Sequence, residues 1–118
     1  MTPTILVVDD DPTMSTLLRT LLELDGFSVT LVGRGAEVLA TARATRPDAI
    51  LMDVHIADID GLDVLRRLRQ DEELKGIPVV MTSGMDKEDL CLQAGANAFI
   101  LKPYPPEQLS TLLKKVIS

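Results

Sequence analysis

Cysteine, long apolar runs and positive charge are all scarce in this chain. Cys91 is the single cysteine among 118 residues. It has no internal partner, so a disulfide-stapled fold is excluded and a reducing, cytoplasmic setting is expected. No apolar stretch approaches the roughly 20 residues of a membrane-spanning helix. Strand-like sequence starts within a few residues of the N-terminus, with no charged leader or cleavage site, so no signal peptide is expected. Lys and Arg number 12 against 18 Asp and Glu, a formal net charge of −6, which argues against a nucleic-acid-binding surface. Low-complexity tracts, linkers and internal repeats are also missing. What remains is one domain over residues 1–118, large enough for a single hydrophobic core.

The chain is organised around Ala49-Ile50-Leu51-Met52-Asp53, four apolar residues running into a carboxylate. Such a run, bounded by turn signals, reads as a strand buried on both faces. Thr4 to Val8 has the same pattern and ends in Asp9-Asp10. Asp11 then caps a helix with Pro12 in its first turn. Met14, Leu17, Leu18, Leu21 and Leu22 give that helix an apolar stripe as far as Gly26. Phe27 to Leu31 alternates like a half-exposed edge strand, Gly33 and Gly35 break it, and a weaker helix runs to about Arg46. After the Asp53 strand, Gly61 opens a helix with Leu62, Leu65 and Leu68 inward. Ile77 to Met81 is a strand ending in Thr82-Ser83-Gly84, with Pro78 at its start, where the ladder tolerates it. Asp86 to Ala94 is a short helix with a poor apolar stripe, either loosely held and movable or simply short. Ala98 to Leu101 is the last strand and ends in Lys102-Pro103. Pro105-Pro106 starts a final helix carrying Leu109, Leu112, Leu113, Val116 and Ile117.

Five strands alternating with five helices imply right-handed crossovers, a parallel sheet with helices on both faces, and a strand order of 2-1-3-4-5. Parallel strands place their carboxyl ends on one side. That side then holds Asp9, Asp10, Asp53, Ser83 with neighbouring Thr82, and Lys102. Clustered carboxylates suit a hard cation such as Mg²⁺. A cation, a lysine and a hydroxyl suit a phosphoryl group, and a carboxylate can become an aspartyl phosphate.

At these residues the chain resembles the response-regulator receiver domains of two-component signalling. The resemblance covers the whole chain. It rests on Ile5 through Asp10, Leu51-Met52-Asp53, Gly61, Pro78 through Gly84, and Gly95-Ala96 with Phe99-Ile100-Leu101-Lys102-Pro103. It implies a flavodoxin-like doubly wound (βα)5 α/β fold, a receiver over 1–118 and no output domain in this chain. It implies that Asp53 is the phosphoacceptor and that Asp9, Asp10 and Asp53, with the backbone carbonyl of His55, hold Mg²⁺, with Mn²⁺ as an alternative. Lys102 would contact the phosphoryl oxygens, and its peptide bond to Pro103 would be cis. Ser83 would be the hydroxyl that moves toward the phosphoryl group, Phe99 the aromatic switch coupled to it, and Gly84 would leave room beside the site. The surface that changes would be the face around the fourth helix, fifth strand and fifth helix. The implied partners are a sensor histidine kinase or a histidine phosphotransfer protein, an output partner or domain that the sequence does not identify, and a second copy on phosphorylation. Nucleic acid and membrane are not implied as partners of this chain. Such a protein catalyses only its own phosphorylation and dephosphorylation.

Two features stand apart from the family pattern. Ala57 occupies a position that commonly carries proline, which affects the shape of the loop and not the chemistry. His55 and Met85 occupy the positions that modulate phosphoryl lifetime. Neither is a carboxylate or amide able to orient water, so slow to moderate self-dephosphorylation is expected.

Other readings compete with this one. Asp9-Asp10-Asp11-Pro12-Thr13 also fits the nucleophile loop of haloacid-dehalogenase-type phosphatases, but the downstream acidic pair is missing and Asp53 would have no role. A phosphorylation-independent interaction domain on the same fold is a third reading, opposed by the intact acidic, hydroxyl and lysine set. Gly33-Arg34-Gly35 reads as a turn and not as a dinucleotide site. Cys91 reads as a packed side chain, and Arg66, Arg67 and Arg69 as a solvated basic face. Tyr104 either contacts partners or shields the Lys102-Pro103 turn.

Overall fold

The structure, a computed structural model, describes residues 2–118. Among them are strands β1 (Thr4–Val8), β2 (Ser28–Val32), β3 (Ala49–Asp53), β4 (Val79–Ser83) and β5 (Ala98–Leu101). The helices are α1 (Pro12–Leu24), α2 (Val38–Thr45), α3 (Gly61–Gln70), α4 (Glu88–Gln93) and α5 (Pro106–Ile117), and a 3₁₀ turn over Gly35–Glu37 leads into α2. The sheet is wholly parallel in the order β2-β1-β3-β4-β5, as the alternation predicts.

Strand periodicity sorts the core into two layers. Ile5, Val7, Ala49, Leu51, Val80 and Ile100 point to one face and pack with Leu18 and Leu22 of α1 and Leu109 and Leu113 of α5. Leu6, Val8, Ile50, Met52, Val79 and Met81 point to the other and pack with Val38, Leu62, Leu65, Leu68 and Cys91. Successive side chains of a strand lie on opposite faces, and both faces are covered, which is why β1 and β3 read as continuous apolar runs.

Three expectations need correction. The stripe on α1 is narrower than its leucines suggest. Ser15, Leu18 and Leu22 are buried, while Met14 and Leu17 are exposed. The helix is rotated toward Ser15, whose hydroxyl donates to the Asp9 carbonyl at 3.2 Å. Secondly, β2 begins one residue later than expected and does not alternate cleanly. Phe27 is buried ahead of the strand, and exposure falls steadily from Ser28 to Val32. Thirdly, β4 starts at Val79 and not Ile77, because Pro78 has no N–H to give and contributes only its carbonyl, which accepts from Ile50 at 2.9 Å.

Helix α1 is capped by Asp11 as predicted, α3 opens at Gly61 as predicted, and Asp60 supplies its cap. The Asp11 carboxylate accepts from the N–H groups of Thr13 and Met14, and Asp60 accepts from Leu62. The Lys102-Pro103 peptide bond is cis. No helix among the described residues is long and apolar enough to cross a membrane.

Candidate functional site

Register brings the site together. Val8 pairs with Met52 and Asp53 with Thr82, so Asp9 and Asp53 leave the sheet at the same level. Ser83 pairs with Leu101, so Lys102 emerges beside them. Strand alternation puts Asp9 and Asp53 on the face of Val7 and Leu51, the side covered by α1 and α5.

The two carboxylates are buried, at 7% exposure for Asp9 and 8% for Asp53. The Lys102 ammonium is 2.5 Å from Asp53 Oδ2 and 3.9 Å from Asp9 Oδ2. A buried carboxylate is costly unless paired and hydrogen-bonded, and the local backbone helps. His55 N–H donates to Asp53 Oδ1 at 2.9 Å, and Asp11 N–H to Asp9 Oδ1 at 2.9 Å. Burial pushes the Asp9 carboxyl up; the Asp11 N–H and Lys102 oppose this, and the charges of Asp53 and Asp10 add to it. One ammonium therefore serves two buried acids, and Asp10 adds a third, exposed one.

Among the described residues no three acids, histidines or cysteines are gathered into a metal cluster. The all-oxygen donor set, with excess negative charge and solvent access at Asp10, fits a hard cation that keeps several waters and takes few protein ligands.

Ser83 is fully buried, and its Oγ accepts the Met85 N–H at 3.1 Å. By alternation with Met81 it lies on the α3 and α4 side, the layer against which Phe99 packs half-buried. Thr82 is different: its hydroxyl donates to the Ile100 carbonyl at 2.8 Å and is already committed within the sheet. Met85 is exposed, as is His55, which bridges to Asp60 across the loop after β3. A Cβ on Gly84 would meet nothing within 4 Å, so there is room beside the site, with or without the glycine.

Tyr104 packs half-buried against the α1 and α5 layer. It lines a cavity of about 230 Å³ with Met14, Leu17, Lys102 and Pro103. Burial first, and then the negative charge of Asp9 and Asp53, push its hydroxyl up to about 12. Cys91 is fully buried in the other layer.

Two residues acquire roles that sequence reading missed. Arg69 is not part of a solvated face. Its guanidinium donates to the carbonyls of Gly95 (2.7 Å), Ile77 (2.9 Å) and Lys75 (3.1 Å) and to Asn97 Oδ1 (2.8 Å). Asp58, in the loop after β3, accepts from the N–H groups of Gly35 at 2.8 Å and Ala36 at 3.1 Å. Nothing local in the sequence signals either role, because the partners lie more than twenty residues away, apart from the Lys75 and Ile77 carbonyls. The same bonds occupy the backbone that a degraded dinucleotide motif at Gly33–Gly35 would need. Likewise Asp11, the second acid of the phosphatase-like loop, is spent on capping α1.

Comparisons with known proteins identify the family and the fold. Residues 5–114 match the response regulator receiver domain family. The DNA-binding response regulator MtrA of Mycolicibacterium smegmatis is 40% identical over 108 residues, covering 89% of this chain and 46% of its own length. The chain spans about half the length of the curated relatives it matches. Among solved structures, the chemotaxis response regulator CheY4 of Vibrio cholerae superposes with a TM-score of 0.91 at 27% identity, covering 98% of this chain and 99% of that one. The receiver domain of sensor histidine kinase PA1611 from Pseudomonas aeruginosa, which has a magnesium ion coordinated in its active-site cleft, superposes at 0.89 with 32% identity, covering 99% and 98%.

Proposed function

The chain belongs to the response regulator receiver family, and from that premise we propose that it is a phosphorylatable switch with Asp53 as its phosphoacceptor. One observation carries the reading: a buried carboxylate at the end of β3 held 2.5 Å from the ammonium of Lys102, with the second buried acid, Asp9, 3.9 Å from the same nitrogen. An Asp53 oxygen attacks phosphorus, the phosphorus–nitrogen bond of a phosphohistidine breaks, and the imidazole leaves with the bond's electrons. The donor is a sensor histidine kinase or a phosphotransfer protein, met in the cytoplasm.

Asp9, Asp10, Asp53 and the His55 carbonyl are the groups that would hold Mg²⁺, or Mn²⁺ in its place. The bound cation would offset charge on the phosphoryl oxygens. Lys102 stays with the phosphoryl group, which adds roughly −1.5 to −2 charges and three acceptor oxygens. Ser83 gives up its contact with Met85 and donates to one of those oxygens, and Phe99 follows into the space. The face formed by α4, β5 and α5 then changes, which is where an output partner or a second copy would bind. The rest of any longer protein sets the output.

Incubation with a small acyl phosphate and Mg²⁺, read by intact mass, tests this. A phosphate-sized gain that disappears in Asp53→Asn supports it, and no gain in the unaltered protein overturns it. Decay of the mass-shifted species reports the lifetime that His55 and Met85 should make slow to moderate, and loss within seconds would refute that expectation.

A further inference from the structure

The loop between β3 and α3 is held at both ends by local bonds. His55 N–H donates to Asp53 Oδ1, Gly61 N–H to the Val54 carbonyl at 2.8 Å, and His55 bridges to Asp60. Its middle, at Ala57 to Ile59, has no such local frame. It is held instead by a distant element, the 3₁₀ turn that opens α2. There the Asp58 carboxylate takes two backbone N–H groups in a row, those of Gly35 and Ala36. Ile59 sits so close against Gly35 that a Cβ at that position would overlap its side chain. The two loops are thus interlocked by a charge-assisted pair of bonds and a close packing contact. Those bonds hold the Asp58 carboxyl below the usual carboxylate range, first through Gly35 and then through Ala36.

We infer that Asp58 is a positioning residue for the phosphorylation site, clamping the β3–α3 loop to the 3₁₀ turn before α2. The clamp acts through the loop backbone. His55 lies three residues before Asp58; its N–H orients the Asp53 carboxylate, and its carbonyl is a proposed cation ligand. Asp58 itself touches neither the cation site nor the phosphoryl group. With the middle of the loop free, the backbone at His55 samples more conformations, and order must be restored each time the cation binds. Ala57, which lacks the conformational restraint of proline, makes this clamp matter more here. The inference rests on the phosphoacceptor reading above.

The test compares two carboxylates that do the same job at opposite ends of the sheet. Asp48 accepts the Thr4 N–H at 2.7 Å at the amino edge, far from the site. Mg²⁺ binding is measured directly by isothermal titration calorimetry, and the rate of phosphorylation by a small acyl phosphate by intact mass across the same Mg²⁺ titration, for the unaltered chain, Asp58→Ala, Asp58→Asn and Asp48→Ala. Asp58→Ala should raise the half-saturating Mg²⁺ concentration by about 10-fold, the low end of the range for loss of an outer partner of a metal site. Asp58→Asn keeps one acceptor and should shift it less, and Asp48→Ala should not shift it. An unchanged Mg²⁺ dependence in Asp58→Ala overturns the inference. An equal shift in Asp48→Ala also overturns it, since the effect would then be general loosening. Should Asp58→Ala fail to fold, Asp58→Asn decides alone: a raised Mg²⁺ requirement supports the clamp, and none overturns it. No mass gain in the unaltered chain would instead refute the phosphoacceptor reading, and so is distinguishable from either outcome.

Discussion

The two corners that meet at Asp53 and Ser83 are built differently. After β3 the chain is bonded at four points: to Asp53 at His55, to the Thr82 carbonyl at Val54, to the Val54 carbonyl at Gly61, and to the turn before α2 at Asp58. A ten-residue helix then follows, with Asp60 as its cap and five buried residues. After β4, Met85 N–H rests on Ser83 Oγ. The next helix has six residues, its N-cap Lys87 makes no side-chain bond to it, and Cys91 is its one buried residue. Met85, Leu90 and Leu92 stay exposed, as does Leu101 on the neighbouring strand. Few buried contacts are the mark of a segment that opens locally at low cost, and its start is held by one exposed bond, from the Glu88 N–H to the Asp86 carboxylate at 3.2 Å. Asp53, the proposed phosphoacceptor, thus stands on the fixed corner, and Ser83, the hydroxyl proposed to answer it, stands on the loose one. A receiver needs that division: the reacting carboxylate has to be held, and the reporter has to move.

The comparison is broken most severely at Gly61. A Cβ there would overlap the Asp53 carbonyl and lie 2.9 Å from the Val54 carbonyl oxygen and 3.0 Å from the Val54 Cα. All three are backbone atoms in a corner held on every side, so none can swing away as a flexible side chain would. Gly61→Ala should cost roughly 2–3 kcal/mol through overpacking. In a chain of this size that is a drop on the order of 10 °C in melting midpoint. Thermal unfolding followed by circular dichroism measures it. A change of less than a degree or two would show that the β3–α3 corner gives way and is not the fixed half.

A smaller effect is expected where the loose corner is finally anchored. Arg69 ties the turn after α4 to α3 through Gly95 and Asn97, and the Asn97 side chain also accepts the Val79 N–H. Arg69→Ala leaves four acceptors without their donor. Several lie near solvent, so water replaces part of the loss, and a cost of about 1–3 kcal/mol is expected. The distribution of the damage sharpens the comparison further. Amide hydrogen exchange should speed up from α4 through the start of β5 and remain unchanged in the β3–α3 loop. Uniform acceleration across both corners would mean that they do not open independently.

The sequence made the fixed corner's chemistry legible and hid its mechanics. Asp53, Asp9 and Lys102 could be placed because each ends a short apolar run, and parallel strands bring such ends to one edge whatever the details of packing. Ser83 was legible by the same logic, two residues past the apolar run from Ile77 to Met81. The rotation of α1 was not legible. Its leucines form too broad a stripe to choose a face, and the choice falls to Ser15, whose reason for burial is the Asp9 carbonyl. Asp58 and Arg69 were hidden for a stronger reason. Most of their partners are backbone atoms, those of Gly35, Ala36 and Gly95 lying 22 to 26 residues away and those of Lys75 and Ile77 closer to Arg69, and backbone atoms carry no sequence signature. Asp58 looks like any turn aspartate and Arg69 like any arginine on an exposed helix until the fold brings those carbonyls and N–H groups to them.

The least effect, and for that reason a precise test of the contrast, is expected at Gly84. It follows Ser83 as closely as any residue can, yet a Cβ built there finds open space out to 4 Å, and no positive φ requires glycine at this position. Gly84→Ala should therefore change unfolding free energy by no more than about 0.5 kcal/mol. Loss of backbone freedom in the unfolded chain would, if anything, favour the alanine. Denaturant unfolding of Gly84→Ala beside Gly61→Ala puts one methyl group into each corner. If the two variants lose stability equally, the corner after β4 is as tightly closed as the one after β3, and Ser83 has no looser neighbour to move with. If only Gly61→Ala suffers, the space beside Ser83 is real. The hydroxyl can then turn toward Asp53 without first displacing packed atoms.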